Sequence, residues 1–248
     1  MKIINALWDE KITGLRTCEI VFEKGDNFRT YIDSDVEKTF DFSVIKIPVG
    51  DLSFIHQMED NGYRYLENQI TISFEVDQTD KIDQKWKKFL QGFSYHKVKD
   101  ISQLNSLTAE VKDNMFESDR FSLDPFFSNS VSSKRYTNWI NEMYKTDIVD
   151  FYILRKVNEN AGFFSIKNIS PGICSCPIAG IYNKYKSHGF LFALTWFWLE
   201  ESRKTGYRKL ISSISTNNKA IHRFLSRFFF FSIDETMIVL RKVIKQSY

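Results

Sequence analysis

The residues best suited to chemistry form a loop between a short apolar run and a strongly apolar helix. The loop, Asn183 to Gly189, carries Lys184, Lys186 and His188. A helix N-terminus presents unpaired backbone N–H groups and the positive end of the helix dipole, and both favour phosphate binding. Gly189, which has no side chain, would let a ligand approach the backbone closely. The loop therefore predicts a pyrophosphate site, with an ordinary helix start as the competing interpretation.

The flanking elements would position this loop at a break in a sheet. Ile173 to Tyr182 is predicted as a strand that Pro177 and Gly180 interrupt, which indicates an edge, a bulge or a splay. Phe190 to Arg203 is apolar on nearly every side, so we expect a helix buried between two layers and ended by Gly206. Two further elements are predicted after it, a strand over Lys209 to Ile214 and an Asn-capped helix over Asn217 to Arg227.

Periodicity predicts the rest of the C-terminal part. Its expected strands are Phe93 to Val98, Ile148 to Lys156, Gly162 to Ile166 and two closing strands, Phe228 to Ile233 and Met237 to Val243. Helices are expected over Ile101 to Phe116 and Arg135 to Lys145, with a loop over Ser118 to Ser133. The aromatic and apolar closing strands exceed what one face of a domain needs, so we expect a homodimer through them.

The N-terminal part predicts a small α/β unit. Alternating strands are expected over Thr17 to Glu23, Phe42 to Pro48 and Gln69 to Val76, and a helix over Asp51 to Asn61. The polar stretch Asp77 to Gln84 shows no periodicity and is the predicted boundary. We therefore expect a first domain over residues 1–80 and a second over 88–248.

Composition excludes several classes of function. The chain has 248 residues, a formal net charge of +3 and no basic stripe, so no nucleic-acid surface is expected. Three cysteines, without a second pair at metal-site spacing, predict neither a disulfide framework nor a zinc site. Acidic residues near the N-terminus argue against a signal peptide, and the longest apolar run is about half the length needed to cross a bilayer. We expect a cytoplasmic protein without a metal or a membrane partner.

From Phe93 onward, the order of elements resembles the GCN5-related N-acetyltransferase (GNAT) family. Its phosphate loop has the form Arg/Gln-x-x-Gly-x-Gly/Ala, and the matching residues are Lys186-Ser187-His188-Gly189-Phe190-Leu191. The resemblance implies an α/β GNAT fold with a splayed mixed sheet, preceded here by the small N-terminal domain. It implies acetyl-CoA as co-substrate, held by the loop amides. Leu191 departs from the usual small residue, so its side chain must point away from the phosphates.

A second match lies in the following helix. Asn217-x-x-Ala220-x-x-x-Phe224 resembles the family's Asn-x-x-Ala-x-x-x-Tyr helix, in which the Asn contacts pantetheine and the Tyr hydroxyl donates a proton to the leaving thiolate. Phe224 lacks that hydroxyl. The residues that the resemblance implies at the cofactor are Ile181, Lys186, Ser187, His188, Gly189, Phe190, Leu191, Asn217, Ala220 and Phe224, the first of them on the strand that supplies an N–H to the oxyanion.

Further motifs look like the dTDP-fucosamine acetyltransferase group, which acetylates the 4-amino group of a dTDP-4-amino-4,6-dideoxyhexose. They are Leu7-Trp8-Asp9 with Gly14, Asp51-Leu52, Asn61-Gly62-Tyr63, Glu67, Phe116-x-x-x-Arg120-Phe121-x-x-Asp124-Pro125 and Tyr136-x-x-Trp139. This resemblance implies a nucleotide-linked amino sugar as acceptor. An acetyltransferase for another amine, and a binding module without turnover, are the alternatives.

The resemblance implies direct attack of a neutral amine on the thioester. Loss of the tyrosine hydroxyl slows such a reaction without forbidding it, because a thiol with a pKa of about 8.5 is a tolerable leaving group. Tyr182, His188 and His222 are conceivable replacements, of which Tyr182 is the one to test, although a rim aromatic is the plainer interpretation. Asp124 and Glu67 are candidate general bases, with a contact between loops or domains as the alternative for each.

Overall fold

The computed structural model describes residues 1–112, 115–127, 130–186 and 189–245. Ser187 and His188, which the sequence predicts at the phosphate, lie outside the described residues. The strands are β1 Lys2–Asn5, β2 Thr17–Val21, β3 Phe42–Pro48, β4 Arg64–Glu75, β5 Phe93–Lys97, β6 Val149–Lys156, β7 Glu159–Ser170, β8 Ile173–Ser175, β9 Ala179–Ile181, β10 Lys209–Ser215 and β11 Ser232–Val243.

The helices alternate with these strands along the chain. They are α1 Leu7–Thr13, α2 Phe28–Ile32, α3 Val36–Thr39, α4 Leu52–Asp60, α5 Gln84–Lys87, α6 Ile101–Ala109, α7 Arg120–Leu123, α8 Ser130–Lys145, α9 Leu191–Lys204 and α10 Lys219–Phe228. Short 3-10 helices cover Val76–Lys81, Lys88–Leu90 and Asn183–Tyr185.

One mixed sheet runs through the whole described chain in the order β1-β2-β3-β11-β4-β10-β8-β7-β6-β5, and β9 also pairs with β7. The last strand, β11, lies between two strands of the N-terminal part, β3 and β4. On its other side, β4 pairs with β10. Backbone hydrogen bonds therefore join the two parts continuously, and the predicted division into domains 1–80 and 88–248 remains a prediction about independent folding.

Side-chain alternation on the strands supplies two cores, one on each face of the C-terminal sheet. Tyr152 and Leu154 of β6 pack under α9, whereas Phe151 and Ile153 of the same strand pack under α6 and α8. A strand buried on both faces must be apolar at successive positions, as this one is. Helix α9 thus covers one face, and helices α6 and α8 cover the other.

The first part of the predicted boundary segment, Asp77 to Gln84, packs against α9. Gln78 and Thr79 are buried, and Thr79 Oγ1 donates to Glu200 Oε1 on α9 at 3.1 Å. Gln78 Oε1 accepts from the backbone N–H of Phe230 at 2.8 Å. Helix α9 lies between this segment and the sheet, as its apolar surface predicts.

Several predicted bounds are wrong. The two expected closing strands are one strand, β11, which carries a bulge between Ile233 and Glu235 against β4. The helix expected over Ile101 to Phe116 ends at Ala109, and the expected loop over Ser118 to Ser133 contains α7 and the start of α8. The N-terminal elements β1 and α1 to α3 were not predicted.

The apolar closing segment is largely covered by this chain. Val239 and Leu240 are fully buried, since β3 and β4 flank β11 on both sides. Phe229 is also buried, whereas Phe230 is 71% exposed. Much of the surface that suggested a homodimer is thus accounted for within the fold, and the homodimer remains a prediction.

Candidate active site

The sheet opens between β9 and β10. Strand β8 pairs in parallel with β10 from Ile173↔Lys209 to Ser175↔Ile211, and Cys176 N still donates to Ile211 O at 2.9 Å. After Pro177 the chain stays with β7, while β10 continues alongside β4. The predicted interruption of this strand is therefore a splay, whose two edges are β9 and the end of β10.

Backbone groups of β9 face this gap. Tyr182 N donates to Ala161 O on β7 at 3.0 Å. Because successive backbone N–H groups of a strand point to opposite edges, the N–H of Ile181 points away from β7 and into the splay. A backbone N–H in this position can stabilise a developing oxyanion.

The start of α9 borders the same region. Gly189 has φ of +69°, a left-handed conformation that glycine adopts without strain, and a Cβ built there would meet no atom of the described residues beyond its chain neighbours within 4 Å. Leu191, the first residue of α9, packs against the core under that helix. Phe190 stacks on Tyr185 and meets Phe93 edge to face, with ring centroids 5.0 and 4.7 Å away.

Helix α10 begins where β10 ends. Asn218, rather than Asn217, caps it, since Asn218 Oδ1 accepts from Ile221 N at 3.1 Å. Asn217 is exposed just before the cap. Ala220 and Phe224 lie one turn apart on the same face of the helix. The half-buried Phe224 ring contacts Phe228 and Phe229, with centroids 5.1 and 5.8 Å away.

Two of the candidate proton donors, Tyr182 and His222, are held by contacts with other parts of the chain. Tyr182 is 2% exposed in the core under α6, its hydroxyl is 3.5 Å from Leu107 O, and burial raises its pKa. His222 Nε2 is 3.0 Å from Ser215 O, which ties α10 to the end of β10. Both residues thus have structural contacts that account for them.

The two candidate bases differ sharply. Both carboxylate oxygens of Asp124 are paired with Arg241, each at 2.8 Å, so Asp124 joins its loop to β11. Glu67, on β4, is 4% exposed, and Oε2 has no hydrogen-bond partner among the described residues. Burial raises the pKa of Glu67 and outweighs the hydrogen bond from Ser215 and the charge of Arg120.

Glu67 lies at the end of the splay. Its strand holds the end of β10 through Thr216 N, which donates to Asn68 O at 2.9 Å. Ser215, the last residue of β10, is the register partner of Gln69, two residues after Glu67 on β4. The carboxylate is therefore adjacent to the strand end from which Asn217 and α10 continue.

A buried charge cluster surrounds this carboxylate. Glu19 of β2 pairs with Lys46 Nζ at 2.7 Å and with Arg120 Nη2 at 3.0 Å. Burial alone would raise the pKa of Glu19, but the charges of Arg120 and Lys46 hold it at about 2. Lys46 and Glu67 are both register partners of Val239, on opposite sides of β11. The N-terminal part thus supplies charged groups to the site.

An aromatic wall joins the cluster to β9. A Cβ on Gly180 would lie 3.3 Å from the Phe116 ring, and this ring packs against that of Tyr136 with centroids 4.1 Å apart. Burial raises the pKa of Tyr136, and the charges of Asp119, Arg120 and Glu67 also act on it. Gly180, Phe116 and Tyr136 therefore follow one another along one side of the opening.

Sequence reasoning named Glu67 as a candidate general base and Arg120 and Tyr136 only as parts of motifs, and it missed other residues. Glu19, Lys46 and Ser215 were not singled out. The available signal was the placement of Glu19 and Lys46, two charged residues inside otherwise apolar strands.

A mixed sheet splayed at its centre, with one helix starting beside the splay and a second continuing from the far strand, defines the GNAT fold and confirms the predicted fold class. A similar structure is that of a functionally unknown conserved protein from Staphylococcus epidermidis, with a TM-score of 0.66 and 9% identity over 97% of this chain and 89% of that one.

Two similar structures carry the fold's name. A GCN5-related N-acetyltransferase from Sphaerobacter thermophilus has a TM-score of 0.57 and 12% identity over 84% of this chain and 61% of its own. A tandem GNAT protein from the clavulanic acid biosynthesis pathway has a TM-score of 0.57 and 11% identity over 94% of this chain and 76% of its own. At these identities the likeness establishes the fold alone.

Comparisons of the sequence do not assign the chain to a family. No family model matches the chain. No curated protein matches it either.

Two negative findings, on membrane-spanning helices and on metal-ligand clusters, hold for the described residues. Among residues 1–112, 115–127, 130–186 and 189–245, no helix combines the length and apolar character that a membrane span needs. The same residues hold no cluster of three or more metal-ligating side chains.

Proposed function

We propose that this protein is an N-acyltransferase that moves acetyl from acetyl-CoA to the amino group of a small molecule. The observation that carries the proposal is the Ile181 N–H directed into the splay, beside the start of α9. A thioester carbonyl bound in the gap would find a preorganised donor there, and charge developing on its oxygen would be stabilised.

The cofactor would lie along the opening. Its pyrophosphate would contact the turn at Gly189, with Lys186, Phe190 and Leu191 beside it, and its pantetheine arm would pass Asn217, Ala220 and Phe224. The left-handed, unobstructed Gly189 supports the first placement. The exposure of Asn217 and Ala220 supports the second. Ser187 and His188 belong to the same proposal through the sequence motif.

The acceptor that the sequence motifs suggest is a nucleotide-linked amino-deoxy sugar, such as dTDP-4-amino-4,6-dideoxygalactose. We propose it together with a homodimer and a cytoplasmic location. Asp9, Glu67, Arg120 and Tyr136, which belong to the motifs that carry the resemblance, all belong to or border the charge cluster beside the splay. The three cysteines are free thiols, which suits a reducing compartment.

Thiol release tests this proposal directly. Purified protein mixed with acetyl-CoA and a panel of amines, including the dTDP amino sugar, should release free CoA thiol and form the acetylated amine. Turnover of other amines without the amino sugar would overturn only the acceptor. No thiol with any amine would overturn the acyltransferase. Sedimentation at micromolar concentration measures the mass, and a monomer would contradict the homodimer.

A binding module without turnover is the second candidate, and Phe224 favours it. The ring lies in an aromatic cluster where the family motif has a proton-donating tyrosine. Calorimetry with acetyl-CoA separates the possibilities, since micromolar binding together with thiol release contradicts this alternative.

A further inference from the structure

We propose that Glu67 is the proton acceptor for the acceptor amine, and that the charge cluster around it binds that amine as a primary ammonium ion. This inference rests on the proposed function and deepens it. It assigns a role at the C-terminal splay to a residue of the N-terminal part.

The burial and bonding of Glu67 carry the first step. The residue is 96% removed from solvent, yet Oε2 has no hydrogen-bond partner among the described residues. A buried polar atom without a partner is unfavourable, and more so when it is charged. Asp124, by contrast, has both carboxylate oxygens paired with Arg241. Glu67 keeps one oxygen for a donor that the described residues do not supply.

Position carries the second step. Thr216 N, directly after the strand that forms one edge of the splay, donates to the backbone O of Asn68, the residue after Glu67, at 2.9 Å. On the other edge, Gly180 lies against the Phe116 ring, which packs against the Tyr136 ring. An amine that reaches a thioester in the splay therefore comes close to this carboxylate.

Charge carries the third step. Among the described residues of the cluster, four carboxylates stand against three cations, which leaves one negative charge when Glu67 is ionised. Lys46 of β3 and Asp119 and Arg120 at the start of α7 act on Glu67. Glu19 of β2 pairs with Arg120 and Lys46, and Asp9 of α1 pairs with Arg135 of α8. A ligand ammonium ion neutralises the cluster and donates to Oε2. A neutral or anionic group there would leave the charge unbalanced.

The reaction then balances as follows. The Glu67 carboxylate takes one proton from R–NH₃⁺, and the nitrogen lone pair of R–NH₂ attacks the acetyl carbonyl carbon. The C–S bond breaks with its electron pair on sulfur, and the nitrogen loses a second proton as the amide forms. One proton ends on the CoA thiol and the other passes from Glu67 to solvent. Burial, which raises the pKa of Glu67, makes the carboxylate a better base.

The test compares Glu67→Gln with Glu75→Gln, an exposed carboxyl on the same strand. We expect Glu67→Gln to lower kcat for thiol release by about 10² or more at pH 7, because general base catalysis contributes 10²–10⁴. The loss should shrink as pH rises towards the pKa of the amine, since neutral amine then forms without help. Acetyl-CoA affinity should stay within about twofold, and Glu75→Gln should match the wild type.

The outcomes separate the two proposals. A wild-type enzyme that turns over, with Glu67→Gln equally active or reduced by one factor at every pH, overturns the role of Glu67 alone. A wild type without thiol release for any amine overturns the acyltransferase. Should Glu67→Gln fail to fold, Glu67→Asp keeps the carboxylate, and it should keep the wild-type form of the pH profile at a lower rate. A changed profile in that variant contradicts the proposal.

Discussion

Arg135 of α8 donates from Nε to Asp9 Oδ1 of α1 at 2.6 Å, and both side chains are buried. This ion pair joins the first helix of the chain to a helix of the C-terminal part, beside the site. The Arg135 guanidinium also lies 4.5 Å from the ring centroid of Phe121. Asp9 Oδ2 has no hydrogen-bond partner among the described residues, so the pair rests on the bond from Arg135 Nε to Asp9 Oδ1.

Removing the Asp9 charge should destabilise the fold. Asp9→Asn leaves Arg135 buried without its counter-charge, and we expect a loss of about 3 kcal/mol in the free energy of unfolding, measured with urea. Lys11→Ala is the matched control, because Lys11 and Glu142 bridge the same two helices at 2.8 Å on the surface. That pair should contribute less than about 1 kcal/mol. Equal losses for the two variants would contradict the argument.

The stability of the protein should depend on pH through Glu19. The folded-state pKa, about 2, lies below the ordinary value of 4.5, so ionised Glu19 favours the folded state. Its contribution, about 3 kcal/mol, is complete above the ordinary pKa and is lost as the pH falls from 4.5 towards 2. Urea unfolding should therefore show that the difference between wild type and Glu19→Gln shrinks over this range. Glu23→Gln, at an exposed position, should show no such convergence.

A methyl group at Gly189 should weaken acetyl-CoA binding. Gly189→Ala should cost about 1–2 kcal/mol of stability, because φ is +69°. Its methyl group would also project into the open space where we place the pyrophosphate, and we expect about a tenfold loss of affinity by calorimetry. Gly206→Ala, at the other end of α9, carries comparable strain with φ of +90° and is equally unobstructed. Affinity that falls equally in both variants would argue against a phosphate site at Gly189.

Restoring the missing hydroxyl should speed turnover. Phe224→Tyr places a phenol at the position where the motif expects a proton donor to the thiolate, and we expect kcat for thiol release to rise by about tenfold or more. Phe228→Tyr is the control, since that ring lies one turn further along α10 and contacts Trp86 and Phe192. No gain from Phe224→Tyr in an active enzyme would mean that another group, or solvent, already protonates the thiolate.

The local sequence pattern was enough to predict most elements of the C-terminal part. The interruption at Pro177 and Gly180, the all-round apolar helix α9 and the motif around Asn217 each depend on neighbouring residues, and the structure contains the splay, the buried helix and the capped helix that they predict. The cap itself shifted by one position to Asn218, which is within the usual uncertainty of a helix end.

The local sequence pattern did not predict features that depend on contacts between segments far apart in the chain. Two closing strands were predicted where the structure has one, because pairing with β4 continues through a bulge between Ile233 and Glu235. The polarity of the segment around Gln78 does not reveal its contacts with Glu200 of α9 and with the backbone of Phe230. Contacts between distant segments override local propensity.

The sequence by itself determined the fold class, the loop beside a helix start and the absence of the tyrosine at Phe224, because each follows from residues that are close together in the sequence. Only the tertiary structure decided what Glu67 faces. Glu67 is buried among charged groups, and its Oε2 has no hydrogen-bond partner among the described residues. These surroundings come from strands and helices that are far apart in the chain and that β11 and β4 bring together. The pKa and the contacts of a charged side chain in an apolar strand depend on its solvent exposure and its neighbouring groups, and only the fold decides these.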